Sequence, residues 1–106
     1  MLTMSSVENI TPAQAFHALS DPLRLKIIES LQKSEFCVGD LCEHLSVSQS
    51  KLSFHLKVLK DAAIVRSRSQ GRWTYYSLNL PQIVALEQLL ADFRYLTELT
   101  GGVAHE

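Results

Sequence analysis

The 106-residue sequence has little cysteine, glycine or proline, with two, four and three of them respectively. No segment approaches the roughly 20 apolar residues that a membrane span requires. The first residues show no basic region followed by an apolar run, so no signal peptide is expected. Glycine-rich phosphate loops, paired acid/base motifs and nucleophile arrangements are missing too, which argues against an enzyme. We therefore expect a cytoplasmic, non-enzymatic protein that makes no membrane contact and whose thiols stay reduced.

Charge is distributed unevenly along the chain, although the net charge is only −1. Residues 48–76 contain six basic side chains and a single acidic one, whereas acidic residues outnumber basic ones on both sides of this segment. The six are Lys51, Lys57, Lys60, Arg66, Arg68 and Arg72. A basic middle segment between acidic flanks indicates either a nucleic-acid interface or a solvated charged face.

The spacing of apolar residues predicts a mostly helical chain with one small β-hairpin. Capping residues followed by proline mark helix starts, as in Thr11-Pro12 and Asp21-Pro22, and Ser48 is a further N-cap. The predicted helices span residues 12–19, 22–33, 36–45, 48–62 and 81–99. Two β-prone runs, 64–69 and 73–78, flank a glycine turn and predict the hairpin.

The third and fourth predicted helices are joined by a short turn, and the free face of the fourth is polar and basic. This is the helix-turn-helix pattern, and a basic hairpin directly after it is typical of a wing. The last predicted helix is apolar on more than one side, which favours burial against its own domain and against a partner subunit. A core helix in a monomer is the alternative.

Motifs spread over roughly residues 12–96 resemble the ArsR/SmtB family of metal-responsive transcriptional repressors. They are Leu19-Ser20-Asp21-Pro22-Leu23-Arg24-Leu25, Phe36-Cys37-Val38-Gly39-Asp40-Leu41-Cys42, Ser48-Gln49-Ser50, Ser53-Phe54-His55-Leu56, Gln70-Gly71-Arg72 and Tyr75-Tyr76. The resemblance implies a homodimeric winged helix-turn-helix with four helices, a two-stranded wing and a fifth helix. The first and last helices would form the dimer interface. We expect one domain over 1–106, with flexible tails at 1–10 and 100–106.

Double-stranded operator DNA is the predicted partner, bound at an imperfect inverted repeat by the two halves of the dimer. The predicted DNA-binding residues are Ser48, Gln49, Ser50, Lys51, Ser53, His55, Lys57, Arg68 and Arg72. Gln49, Ser50 and Ser53 are assigned to base edges. Lys51, Lys57 and Arg72 are assigned to the backbone, and Arg68 to the backbone or minor groove. Ser48 also serves as a cap. His55 either touches phosphate or packs within its own domain.

Cys37 and Cys42 are the predicted ligands of a soft ion, with arsenite or antimonite as the inducer. In arsenite-sensing members of the family the matching segment has three cysteines, and Gly39 stands here at the middle position. A small thiol or water would complete the site. Five residues along a helix separate two side chains by about 140°. Both sulfurs can therefore reach one ion only if Cys37 lies before the helix or the helix start is distorted.

Three alternatives stay open at this point. Cys37 and Cys42 could form a redox or persulfide switch in the same repressor, or they could be structural thiols. The chain could also be a winged-helix protein-interaction module without a DNA role. A zinc site on the last helix is not expected, because the positions that match the family's ligands hold no suitable set. Those positions are Leu80, Gln82, Phe93 and Leu96.

Overall fold

The computed structural model describes residues 10–101, which form five α-helices and three β-strands. In chain order the elements are α1 (Pro12–Ala18), α2 (Pro22–Lys33), β1 (Phe36–Cys37), α3 (Val38–Leu45), α4 (Gln49–Asp61), β2 (Val65–Gln70), β3 (Trp73–Leu78) and α5 (Leu80–Thr100). Every predicted helix and both predicted strands are present, with boundaries that differ by one or two residues. The mostly helical winged helix-turn-helix prediction is confirmed, with one additional strand.

Local capping explains where the first helices begin. The Thr11 hydroxyl accepts the backbone N–H of Gln14 at 3.2 Å, and the Gln14 side chain accepts the backbone N–H of Thr11 at 2.9 Å. The Asp21 carboxylate accepts two backbone N–H groups at the start of α2. The Ser48 hydroxyl accepts the backbone N–H of Lys51 at the start of α4. Each cap satisfies N–H groups that the first helical turn would otherwise leave unpaired.

The three strands form an antiparallel sheet in the order β1-β3-β2. Gly71, at φ 63°, occupies the left-handed region at the tip of the β2–β3 hairpin, where glycine carries no steric cost. On the other edge of β3, Phe36 pairs with Tyr76 and Cys37 with Tyr75. The prediction of one helix over 36–45 is therefore wrong for its first two residues, which are extended because β3 offers them a free edge.

The core is centred on the helix-turn-helix. Its large, fully buried apolar side chains are Ile27 of α2, Leu41 of α3, Leu52, Leu56 and Leu59 of α4, and Ile64, which precedes β2. The apolar stripe predicted for α4 is thus the face that packs on α2 and α3. This packing leaves the opposite face of α4 at the surface, next to the β2–β3 hairpin.

Helix α5 extends away from this core, and the described residues measure 56 × 26 × 23 Å along the principal axes. Gln82 and Leu86 are buried, whereas every residue from Phe93 to Leu99 is exposed. Within residues 10–101 no helix has the length and apolar character that crossing a membrane demands.

The two predicted tails fall mainly on residues 1–9 and 102–106, which lie outside the described residues. At their inner edges, residues of both predicted tails belong to the described fold. Ile10 packs against the core, and α5 continues to Thr100.

Candidate nucleic-acid interface and thiol site

The exposed face of α4 carries most of the predicted DNA-binding side chains. Gln49, Ser50, Lys51, Ser53 and Lys57 are all exposed, in a helix whose other side is buried. The connection from α3 is tight because Ser46 adopts a left-handed conformation, at φ 55°. This turn and the buried stripe together present the first two turns of α4 to solvent, as a recognition helix requires.

The lysines of α4 differ in their contacts. Lys57 donates to Asp61 at 2.9 Å, and both side chains are largely exposed, so this ion pair adds little stability and leaves Lys57 able to exchange Asp61 for a phosphate. Lys60 donates to the hydroxyl of Ser67 in β2 at 2.7 Å. Lys60 therefore joins the recognition helix to the wing.

Arg68 forms an ion pair with another residue of the chain at the protein surface. Its guanidinium donates to both carboxylate oxygens of Glu35, at 2.8 and 2.7 Å, and lies 4.8 Å from the centre of the Tyr75 ring. The hydrogen bond from Arg68 lowers the pKa of Glu35 and raises the pKa of Arg68. Arg68 thus links the wing to Glu35, which precedes β1. This bidentate pair competes with the DNA contact predicted for Arg68. Arg72, at the turn, is exposed.

His55 lies on the buried side of α4, with 9% of its surface exposed. Arg24 of α2, itself buried, has its Nη1 3.0 Å from His55 Nδ1 and donates from Nε to the carbonyl of Ala18 at 2.7 Å. A guanidinium only donates, so Nδ1 is the acceptor and the imidazole proton is on Nε2. The phosphate-contact alternative for His55 does not fit this position. The imidazole instead links α4 to α2.

Asp21 lies beside this pair, its carboxylate oxygen 3.8 Å from His55 Nδ1. That distance exceeds a hydrogen bond, and Nδ1 already accepts from Arg24, so Asp21 and His55 form no ion pair. Partial burial raises the pKa of Asp21, but the backbone N–H donors of Arg24 and Leu23 and the positive charge of Arg24 outweigh this effect. The net effect is a lowered pKa.

Sequence analysis missed Arg24, although the sequence contains a signal for it. Arg24, Ile27 and Leu31 are spaced i, i+3 and i+7, so Arg24 occupies the buried stripe of α2. A basic residue on an apolar stripe needs a buried partner. The partner, His55, is 31 residues further along the chain.

Cys37 lies before α3, at its N-cap, with extended backbone and 8% of its surface exposed. It lines a cavity of about 400 Å³ together with Asp40, Glu43, Trp73 and Tyr75. An adjoining cavity of about 320 Å³ is lined by Cys37, Val38, Gly39, Gln49, Arg72, Trp73 and Thr74. One thiol therefore borders both the start of the recognition helix and the tip of the wing.

Cys42 lies on α3, half-buried against the core, and both thiols are free. It does not line the two cavities that Cys37 lines. His44, on the same helix, stacks on Phe36 with ring centres 5.3 Å apart. Among the described residues no three His, Cys, Asp or Glu side chains form a group that could hold a metal ion. The described residues thus offer soft thiol donors, Cys37 and Cys42, but no cluster of three ligands.

A winged helix-turn-helix with an exposed polar recognition helix is the architecture of a DNA-binding transcriptional regulator. The family model for "Bacterial regulatory protein, arsR family" matches residues 21–67. An arsenical resistance operon repressor of Bacillus subtilis is 45% identical over 84 residues, which are 76% of this chain and 80% of that one. The chain therefore belongs to the ArsR family of transcriptional repressors, a DNA-binding, non-enzymatic class.

Solved structures agree on the fold. One ArsR family transcriptional regulator superimposes with a TM-score of 0.74 over 92% of this chain and 97% of its own, at 24% identity. The homodimeric winged helix-turn-helix DNA-binding domain of a possible ArsR-family regulator from Mycobacterium bovis gives a TM-score of 0.63 at 26% identity. That match covers 89% of this chain and 86% of the other.

Proposed function

We propose that this chain represses transcription as a homodimer on an imperfect inverted repeat and that arsenite or antimonite, bound through Cys37 and Cys42, releases it. The Bacillus subtilis relative that is 45% identical over 84 residues is named for arsenical resistance. The observation that carries the proposal is the cavity shared by Cys37, Gln49 and Arg72, because it joins a soft ligand to both parts of the DNA-binding surface.

On the DNA side, Gln49, Ser50 and Ser53 contact base edges in the major groove, where amide and hydroxyl groups can pair with donors and acceptors. Lys51, Lys57 and Arg72 neutralise phosphates, and Ser48 caps the helix. The exposure of these side chains on one helix face and on the wing tip supports the assignment. His55 and Arg68 are left out of the set because each already has a buried or bidentate partner.

The dimer forms through α1 and α5. Leu80, Val84, Leu90 and Phe93 of α5 are each more than half exposed, which is costly for large apolar side chains on one helix. The Mycobacterium bovis neighbour, which shares the fold, is homodimeric. A second copy of this chain would cover the helix, and its two-fold axis would place two recognition helices on symmetric half-sites.

The sensing step begins at Cys37. Its position before α3 meets the condition under which two sulfurs five residues apart can turn toward one ion. Thiolates are the preferred ligands of soft ions, and a small thiol or water supplies the third donor. Drawing Cys37 toward Cys42 would disturb the pairing of Cys37 with Tyr75 and the cavity wall that Gln49 and Arg72 share.

The wing tip and the recognition helix would then lose the spacing that fits one duplex. Coupling of this kind is typically worth about 1–3 kcal/mol, or a roughly 5- to 150-fold loss of DNA affinity. The reverse effect follows by linkage, so operator DNA lowers the affinity for the ion by the same factor.

The test is a fluorescence anisotropy titration of the reduced protein–operator complex with arsenite, antimonite, zinc and a persulfide donor. Arsenite and antimonite are expected to release DNA, and Cys37→Ser and Cys42→Ser are each expected to abolish that release. Arsenite release that survives both substitutions would eliminate the thiol site. Release by the persulfide donor alone would favour the redox alternative.

Gly39 offers a gain-of-function variant with a matched control. A Cβ added at Gly39 meets nothing within 4 Å, so a side chain fits there without displacing its neighbours. Gly39→Cys supplies a third thiol and is expected to lower the arsenite concentration that gives half-release. Gly39→Ser adds a side chain of the same shape without sulfur and is expected to leave that concentration unchanged.

A further inference from the structure

Phe54 is an apolar side chain in the middle of the polar face of the recognition helix. It is 63% exposed, in contrast to Leu52, Leu56 and Leu59, which are buried on the other side of α4. Phe54 follows Ser50 by four residues and precedes Lys57 by three, and these spacings place the three side chains next to one another on one helix face. The DNA assignments above give this phenyl ring no role.

The ring of Phe54 is oriented by a buried neighbour. The Phe54 and His55 rings pack in a T-shaped arrangement, with ring centres 5.2 Å apart and an angle of 77° between the planes. His55 is itself held by Arg24 through the 3.0 Å contact at Nδ1. Because the His55 imidazole is held in place, the Phe54 ring loses less conformational freedom on binding than an exposed phenylalanine without such a neighbour would.

We infer that Phe54 reads thymine in each operator half-site by packing on the 5-methyl group of the base. This inference rests on the proposed operator binding and adds a specificity determinant to it. The thymine methyl is the apolar group that base pairs display in the major groove, and phenylalanine is among the side chains that recognise it. Ser50 and Lys57 beside the ring, and Ser53 on the same exposed face, supply hydrogen bonds and charge, which a methyl contact lacks.

A duplex fits this surface better than an apolar protein partner does. A protein covering Phe54 would also cover Ser50, Ser53 and Lys57, and each buried polar group without a hydrogen-bond partner is costly. A major groove offers acceptors and phosphates to these same side chains. The segment from residue 48 to 76 is also the basic part of the chain.

The experiment has two stages and uses the full chain. The operator is first selected from a random duplex library by the wild-type protein, and deoxyuridine then replaces each thymine of the half-site in turn, which removes only the methyl group. At one thymine in each half-site we expect wild-type affinity to fall about fourfold, the value of one buried methyl group. Phe54→Ser is expected to bind both duplexes equally. Leu25→Ala, which removes another exposed apolar side chain, is expected to keep the fourfold difference.

The possible failures are distinguishable. If the library yields no preferred sequence, or if specific and random DNA bind equally, the proposed operator binding fails and the inference falls with it. A second outcome is that an operator is selected, but every thymine-to-deoxyuridine change lowers the DNA affinity of the wild type and of Phe54→Ser equally. Only the role of Phe54 is then overturned. If Phe54→Ser sediments as a monomer where the wild type is a dimer, Phe54 is a subunit contact and the inference is also overturned.

Discussion

Replacing Arg24 tests whether the buried link between α2 and the recognition helix stabilises the fold. Arg24→Ala removes two hydrogen bonds from a charged donor, one to the Ala18 carbonyl at 2.7 Å and one to His55 Nδ1 at 3.0 Å. Hydrogen bonds to charged groups contribute about 1.5–3 kcal/mol each. Because the acceptors that remain are buried, we expect the free energy of unfolding to fall by about 3–5 kcal/mol, a large share of a typical domain's stability.

The assay is urea unfolding at one fixed protein concentration, since the stability of a dimer depends on concentration. Arg94→Ala is the matched control. Arg94 also donates to a partner, Glu98 at 2.9 Å, but both side chains of this pair are more than 60% exposed. A surface pair of this kind is expected to change stability by no more than about 0.5 kcal/mol.

A loss of stability in Arg24→Ala no larger than that in Arg94→Ala would refute a stabilising role for this buried link. Arg24→Lys sharpens the comparison, because lysine retains the charge but lacks the fixed fork that reaches Ala18 and His55 together. We expect Arg24→Lys to recover only a minor part of the lost stability. Full recovery by lysine would show that the positive charge, and not the pair of directed hydrogen bonds, stabilises this junction.

The other predictions concern DNA contacts, pH and assembly. Gln49→Ala is expected to lose about 1–3 kcal/mol of binding free energy on the operator and little on random DNA. Arg72→Ala is expected to weaken binding to both DNAs alike and to reduce the slope of log affinity against log salt concentration by about 1. Gel shifts at several salt concentrations measure both effects. Because the folded-state pKa of Glu35 lies below its ordinary value of 4.5, the stability it adds is present above pH 4.5 and is lost as the pH falls further. Glu35→Gln should therefore flatten that acid limb in urea midpoints measured against pH. Phe93→Glu puts a charge among the exposed apolar side chains of α5, and sedimentation should show a monomer where the wild type is a dimer.

Some features follow from residues close together in the sequence. Thr11, Asp21 and Ser48 cap the helices that they were predicted to cap, because an N-cap and its N–H partners are two or three residues apart. The buried stripe of α4 follows from the 3.6-residue period, so its polar face could be assigned in advance. The wing was likewise visible as two β-prone runs around Gly71.

Other features depend on contacts between distant parts of the chain. Strand β1 exists because Phe36 and Cys37 pair with Tyr76 and Tyr75, and this pairing moved Cys37 out of its predicted helix. It also placed Cys37 on the wall of the same cavity as Arg72 and Gln49, an arrangement that no spacing rule encodes.

Two side chains, His55 and Arg68, show the same difference between what local sequence indicates and what long-range contacts decide. The sequence left two alternatives for His55 and assigned Arg68 to DNA. In the structure Arg24, 31 residues away, binds His55 in the interior, and Glu35, 33 residues away, pairs with Arg68 at the surface. Local periodicity determines which face a residue occupies. The free energy of pairing a buried or half-buried polar group determines what it binds, and that partner becomes known only when the chain has folded.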